Sequence, residues 1–481
     1  MNVSKLRKKI LQMAFSGQLL PNDGKQLSSD IKEKYDGIRN DLINQKKIKK
    51  DKLDEDITDD EKIYKSPTNW VWDRLGSIGS WGAGATPLRS NEEYYNNGTI
   101  AWLKTGELND GYINNTEEKI TEKALKECSL KFVHPGDVMI AMYGATIGKL
   151  GISGIELTTN QACCSCNIYY GIESKYLFYY LLSLRDYFIN AGIGGAQPNI
   201  SREIIINTPI CIPDIEYQKE LCEKIDKTFE LINELEKSIG RVQKLKEKLK
   251  ILIFDKAIHG ELIKNNPLDK QIDVFKIESE FRNGHNLKKD KKVMEINPND
   301  VPYSIPQNWI WVRLGNIGIY KKGPFGSSLT KSMFIPYSED AIKVYEQQNA
   351  IKKDYTLGDY YISRKKYESM KSFSVEPNDI IVSCAGTIGE TYVMPKEARV
   401  GIINQALMKI TLFDNNYRDF FLLYFDYVLK KEANEKGKGT AIKNIPPFDI
   451  LKNMYIPLPP FEEQEKILNR VNSLINLINQ V

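Results

Sequence analysis

Apolar residues fall at Leu221, Ile225, Ile232, Leu235, Ile239 and Val242 in steps of mostly three, four or seven, and a shifted seam continues through Leu245, Leu249 and Leu252. That alternation draws a stripe along one side of a helix. Glu and Lys fill the positions between, many of them three or four apart, where opposite charges support helical structure. Pro213 ends the preceding run and leaves Asp214 at a helix start, while Gly260 is a natural stop. The pattern predicts one helix over residues 214–263. About 45 residues at ~1.5 Å each span roughly 65–70 Å. A helix of that length is a spacer that needs a partner helix.

The rest of the chain is organised around it. Residues 1–20 read as a short helix ending near Gly17, and residues 21–65 as a polar helix-like piece with a Lys/Asp/Glu-rich linker. Short strands with Gly and Asn turns fill 66–213. After the long helix, a second charged linker covers 264–304, a second strand-rich region 305–459, and a final helix 460–481. The two strand-rich regions repeat each other. SPTNWVWDRLGSIG from Ser66 matches IPQNWIWVRLGNIG from Ile305, so that Pro67, Trp70, Trp72, Leu75 and Gly76 correspond to Pro306, Trp309, Trp311, Leu314 and Gly315. PGDVMIAMYGATIGK from Pro135 matches PNDIIVSCAGTIGE from Pro377. Asn160-Gln161 matches Asn404-Gln405, Asn199-Ile200 matches Asn444-Ile445, and Pro213 and Gln218 match Pro459 and Gln464. A period near 240 outranks any local signal.

The helical parts repeat in an unexpected order. Residues 460–481 align with 214–235, placing Ile467, Val471 and Ile478 on Leu221, Ile225 and Ile232. The first residues align with the far end of the long helix, Ala14 and Gly17 on Ala257 and Gly260. The second copy of the long helix is therefore split between the two chain ends, which together supply the partner and are expected to lie near each other. The fold class predicted is α+β: two mostly-β domains in pseudo-twofold arrangement, separated by long antiparallel coiled-coil helices.

Composition narrows the function classes. With 481 residues and 41% hydrophobic content, the chain can build real cores in two to four domains. Net charge is only +4. Basic residues nevertheless cluster at Lys5–Lys9, Lys46–Lys52 and Lys288–Lys292, which suits a polyanion as well as a solvated helix face. The charged N-terminus lacks the apolar segment of a signal peptide, and no apolar run approaches the ~18 residues that span a bilayer. Seven cysteines without a framework imply reduced thiols and a cytoplasmic protein.

Enzyme motifs fail on inspection. Gly144-Ala-Thr-Ile-Gly148-Lys149 is one residue short of a phosphate loop and continues with Leu150. Ile445-Pro446-Pro447-Phe448 approaches the Asn-Pro-Pro-Tyr/Phe motif of amino-methyltransferases, but Ile445 cannot orient an adenine amino group. Cys163, Cys164 and Cys166 have no second pair or neighbouring His to complete a zinc site, so no metal is expected. His134, His259 and His285 are scattered.

Taken together, the paired NW.W.RLG openings, TIG loops, NQA segments, and IPDIEYQKEL with its copy PLPPFEEQEKIL resemble the DNA-specificity subunit of Type I restriction–modification systems over essentially the whole chain. The resemblance implies two target-recognition domains, 66–213 and 305–459, separated by conserved helical regions. It implies a chain without catalysis of its own, reading a bipartite asymmetric DNA target. It further implies a scaffold for two methyltransferase and two restriction subunits, with S-adenosylmethionine, ATP and Mg2+ acting on those partners. The rival reading is a coiled-coil adaptor with two protein- or carbohydrate-binding domains.

Candidate DNA contacts follow from where the repeat breaks down, since residues 82–108 and 321–349 have little in common. These segments contain Arg89, Lys104, Thr105 and Glu107 in the first copy, and Lys321, Lys322, Ser327, Gln347, Gln348 and Asn349 in the second. Gln and Asn pair bidentately with adenine, Lys with guanine, and Glu accepts from cytosine. Ordinary solvation of strand ends is the alternative. Lys149 lies in the first TIG loop, where phosphate contact and a structural turn compete, and its copy carries Glu390 instead. Gln197, Asn199, Lys438 and Lys443 lie in or just after small loops before the last strand of each copy. Trp70, Trp72, Trp309 and Trp311 are expected to be core anchors. Helix pairing or subunit docking is expected to use Leu221, Ile225, Ile232, Leu235, Ile239, Val242, Ile467, Val471 and Ile478.

Overall fold

The computed structural model describes residues 3–21, 29–48, 50–53, 57–192, 199–290, 292–384, 387–435 and 447–480. The chain divides into two compact units, residues 1–240 and 241–481. The predicted long helix is a single element, Ile215–Ile258, of 44 residues. Its first part belongs to one unit and its last part to the other.

In the first unit, the helix Val3–Phe15 lies antiparallel to the start of the long helix. Arg7 donates to Asn233 at 2.6 Å and to Glu236 at 3.0 Å. At the other end, the Tyr217 hydroxyl donates to the Leu20 carbonyl at 3.2 Å. Leu11, Ala14 and Phe15 are buried in one core with Leu221, Cys222 and Ile225. The β-rich domain hangs from this helix pair. Strand Val71–Arg74 pairs antiparallel with Pro209–Ile212. A five-stranded sheet runs in the order Gly79–Ala83, Cys163–Ile168, Val138–Ala141, Leu150–Ser153, Gly111–Ile113. A three-stranded sheet runs Glu118–Ile120, Ile100–Leu103, Thr158–Thr159.

The second unit repeats this plan. Ile253, Phe254, Ala257 and Ile258 from the end of the long helix share a core with Ile467, Val471 and Ile475 of the helix Phe461–Gln480. Each half of the long helix is thus met by one chain end. Ile310–Arg313 pairs with Tyr455–Leu458. The larger sheets run Gly318–Lys322, Leu407–Leu412, Ile380–Ser383, Thr391–Val393 and Tyr361–Ile362, Ile342–Tyr345, Gly401–Ile403, Ser374–Val375.

Identical residues perform identical mechanical tasks in the two copies. Gln218 donates to the Pro213 carbonyl at 2.9 Å, and Gln464 donates to that of Pro459 at the same distance, locking each strand-to-helix corner. Gly76 and Gly315 lie where an added Cβ meets Leu53 at 2.6 Å or Val293 at 2.4 Å. Gly17 and Gly260 end their helices at φ +70° and +72°, and a Cβ there lands 2.4 Å from Pro67 or 2.5 Å from Pro306. A left-handed backbone costs a side-chain-bearing residue ~1–2 kcal/mol, and overlap with a packed ring adds ~1–3 kcal/mol. Gly260→Ala is therefore expected to destabilise the second unit by about 2–5 kcal/mol, read from its thermal unfolding.

Burial refines the predicted seam. Leu221, Ile225, Ile232, Ile467 and Val471 are buried, while Ile239 and Ile478 are half-buried. Leu235 and Val242 are exposed, as are Leu245, Leu249 and Leu252. The inward stripe ends where the helix leaves its own β-rich domain, so the sequence period continues past the packing that justifies it. Trp70 and Trp309 are core residues, and Trp72 and Trp311 are half-buried.

The charged segments contain more structure than a linker. Helix Ser29–Asn44 buries Tyr35, whose hydroxyl donates to the buried Asp73 at 2.6 Å. Within 264–304, helix Val274–Gly284 buries an ion pair, Arg282 to Glu278 at 2.7 Å, and Glu278 also accepts from Asn316. Tyr35 and Glu278 are 243 residues apart, as are Gly17 and Gly260. The repeat thus includes these helices, and in the second one Glu278 and Arg282 face inward beside the fully buried Val274.

Candidate nucleic-acid interface

The non-repeating segment of the first unit builds a compact charged cluster at the edge of the three-stranded sheet. Strand Ile100–Leu103 leads into a short 3-10 turn, Thr105–Glu107. Thr105 is buried in that turn. Glu107 accepts from the Lys104 backbone N–H at 2.9 Å and from that of Glu117 at 2.7 Å, joining the turn to the neighbouring strand's approach. The antiparallel register sets Glu118 opposite Trp102. Arg89 lies over the rings of Tyr95 and Trp102, 4.8 and 5.0 Å from their centroids, an arrangement that favours a cation. It also forms an ion pair with Glu118. Lys104 completes the cluster, 2.8 Å from Glu118 and 3.1 Å from Glu117. Hydrogen bonds from Arg89 and then Lys104 hold the Glu118 carboxyl down to about 2.

Four sequence candidates, Arg89, Lys104, Thr105 and Glu107, therefore converge, and the two carboxylates that organise them were missed. Glu117-Glu118 looks like a solvated strand end in sequence. The pairing of Glu118 with Trp102 was the signal that could have found it.

Lys149 follows the short turn Gly144–Thr146 and makes no ion pair among the described residues. The turn is held from behind, where Arg185 donates to the Gly148 carbonyl at 2.9 Å and pairs with Asp110. In the second copy the described residues hold the turn differently. Ser383 donates to the Thr387 carbonyl at 2.5 Å and accepts from the Glu390 backbone at 3.0 Å. Asn199 is exposed and bridges to Tyr143. Gln197, Lys438 and Lys443 lie outside the described residues.

In the second unit the candidates separate. Lys321 stands over the Phe373 ring at 4.9 Å, while Lys322 and Ser327 are exposed. Gln348 donates to Glu346 at 3.0 Å. Gln347 is half-buried, and its Oε1 is buried without a hydrogen-bond partner. Asn349 is fully buried. It accepts from the Glu346 backbone at 2.7 Å and donates to the Asp354 and Leu357 carbonyls, fixing the start of helix Gln347–Lys352. Its polarity serves the backbone and is not presented to solvent.

Cys163, Cys164 and Cys166 are fully buried in one strand, and burial pushes all three thiols up. Among the described residues, no group of His, Cys, Asp or Glu is placed to hold a metal ion. Nor is any helix among them long and apolar enough to cross a membrane.

The repeated architecture finds its match in a known family. The model of the Type I restriction modification DNA specificity domain matches twice, over residues 67–247 and 306–481. The chain belongs to that family. Its relatives include the Type I restriction enzyme MjaIX specificity subunit of Methanocaldococcus jannaschii, 26% identical, with 86% of this chain and 87% of that one covered. The EcoAI specificity subunit of Escherichia coli is 21% identical, with 100% of this chain and 90% of that one covered. The fold matches the crystal structure of the HsdS subunit from Thermoanaerobacter tengcongensis at a TM-score of 0.51 and 19% identity, covering 87% and 93% of the two chains. It also matches, at 0.59 and 18% identity with the same coverage, a chain solved in work on complex assembly and conformational transition of the type I R-M system. This protein is a specificity subunit of the Type I restriction–modification class, and the adaptor reading is not favoured. Specificity subunits of these systems are non-catalytic.

Proposed function

We propose that the two β-rich domains read two different half-sites of one asymmetric, bipartite duplex target. In this reading the helical parts carry methyltransferase and restriction subunits, two of each. S-adenosylmethionine, ATP and Mg2+ act on those partners, and the target adenine is flipped into the methyltransferase. The observation that carries the reading is the contrast within the repeat. Corner glutamines, helix-ending glycines and buried tryptophans recur, whereas the polar edges 82–108 and 321–349 do not. A shared framework with private edges is what two readers of unlike sequences require. Base contacts specify, while phosphate contacts set register.

Methylation-aware sequencing of DNA from cells with and without this chain tests the proposal. The expected result is one bipartite motif, methylated on both strands, that disappears on deletion. In vitro, duplex binding with the methyltransferase partner is expected to weaken with salt, log affinity falling by about 0.9 per phosphate contact for each unit of log salt. A flat salt response together with an unchanged methylation pattern rejects the reading.

A further inference from the structure

The charged edge of the first unit is built so that its cations are already occupied. We propose that Glu118, backed by Glu117, is a specificity-determining residue that keeps Arg89 and Lys104 from binding DNA phosphates indiscriminately. The inference deepens the proposed reading and rests on it, because it concerns how one half-site is discriminated.

Three features support it. First, the cluster carries no excess positive charge: two cations face the carboxylates of Glu117 and Glu118 within a few ångströms, and the Glu107 carboxylate lies in the same cluster. A patch built for phosphate attraction alone has no use for the carboxylates. Second, the carboxylates are placed by structure. Register sets Glu118 beside Trp102, and Glu107 fixes the Glu117 backbone. Arg89 is stacked on two rings, so its position does not depend on the ion pair alone. Third, Arg89 is exposed enough to exchange its partner. The Arg89 side chain is 53% exposed. Solvent screens a cation so exposed, so a better partner can displace its carboxylate.

The physical consequence is a charge filter. A phosphate approaching Arg89 or Lys104 meets a carboxylate that repels it, and the cation gains little by changing partners. A base edge presenting both an acceptor and an amino donor satisfies both signs at once: the cation takes the acceptor, and Glu118 accepts from the exocyclic amino group. Discrimination then comes from the cost that wrong DNA pays, which is how specificity is often secured. Glu118 stays ionised far below neutral pH because Arg89 and Lys104 hold its carboxyl at about 2. The filter is therefore closed throughout the physiological range.

The test measures binding of the full chain, with its methyltransferase partner, to a duplex lacking the target, as a function of salt. Three proteins are compared: the unaltered chain, Glu118→Gln, and Glu127→Gln. The last removes one negative charge from a residue that accepts from Tyr94 and forms no ion pair with Arg89 or Lys104. For Glu118→Gln, non-target binding is expected to tighten about 3- to 10-fold near 0.1 M salt, with a slope steeper by about 1–2 as one or two cations are freed. The target to non-target ratio should fall, and Glu127→Gln should leave the slope unchanged. Adding Arg89→Gln to Glu118→Gln should reverse most of the gain. Equal tightening by Glu118→Gln and Glu127→Gln overturns the filter in favour of bulk charge. An unchanged Glu118→Gln overturns it while leaving duplex recognition intact. Absence of salt-dependent duplex binding by the unaltered chain overturns both readings. A thermal melt of Glu118→Gln matching the unaltered chain shows that the comparison is between folded proteins.

Discussion

Deleting residues 1–20 is expected to unfold the first unit and leave the second standing. The deleted helix is a wall of the core that contains the first β-rich domain's own aromatic residues. Phe15 packs edge-on to Tyr176 and Tyr180 with ring centroids 5.5 and 5.0 Å apart, and it is fully buried together with Ala14. Losing a buried Phe alone costs about 3–5 kcal/mol, and burying a side chain the size of Leu11 is worth ~1.5–3 kcal/mol. The deletion also bares Leu221 and Ile225 on the long helix and removes the acceptor of the Tyr217 hydroxyl. Together these approach the ~5–15 kcal/mol that holds a whole domain folded. The surface pairs Arg7–Glu236 and Lys8–Asp186 add little. Calorimetry of the truncated chain should lose the transition of residues 1–240 and keep that of 241–481. Limited proteolysis should then cut within 66–213 first. A truncated chain retaining both transitions would show that the first unit closes without the N-terminal helix.

The parts of the fold that were legible in sequence are those where one residue type has one mechanical use. Pro67 with Gly17 and Pro306 with Gly260 recur because only glycine fits beside that proline ring in a left-handed turn. Gln218 and Gln464 recur because each closes the same corner. The long helix was legible from spacing, although spacing alone did not show that packing stops short of Leu235 and Val242. Helix Ser29–Asn44 reads in sequence only as a polar helix-like piece, whereas Val274–Gly284 is hidden in a charged segment because Glu278 and Arg282 face inward beside Val274 and find partners there.

The site shows the same asymmetry. Arg89 and Lys104 stand out as basic residues in a divergent segment, but their meaning depends on Glu117 and Glu118, which only strand register brings alongside. Asn349 shows the opposite error. An Asn beside two Gln residues reads as a base reader, yet its amide satisfies three backbone groups in the interior. A polar side chain that serves the backbone and one that awaits a ligand look alike until burial separates them.

Glu463→Ala is expected to be the most damaging single substitution in the second unit. The Glu463 side chain is fully buried and accepts from three donors on two segments: Asn308 Nδ2 at 2.8 Å and the neighbouring Trp309 Nε1 at 2.7 Å, and the Asn266 backbone N–H at 2.9 Å. It thereby ties the start of helix Phe461–Gln480 to the first strand's approach and to the segment after the long helix. The first unit solves the same problem differently. Tyr217, 246 residues earlier as Gln218 is from Gln464, packs its ring edge-on to Trp70 at 5.4 Å. Packing can be trimmed gradually, but a buried carboxylate cannot be removed without leaving its donors unpaired. Each orphaned donor costs about 1–3 kcal/mol, so three of them cost at least ~3 kcal/mol. A unit of this size loses ~2–4 °C per kcal/mol, so the second transition should fall by about 10 °C while the first stays in place. Glu463→Gln should lose less, since one amide oxygen still accepts while the new NH2 faces a donor. If Glu463→Ala shifts the second transition by no more than ~2 °C, the three donors have found other acceptors, and the tie between helix and domain lies elsewhere in the Trp309 pocket.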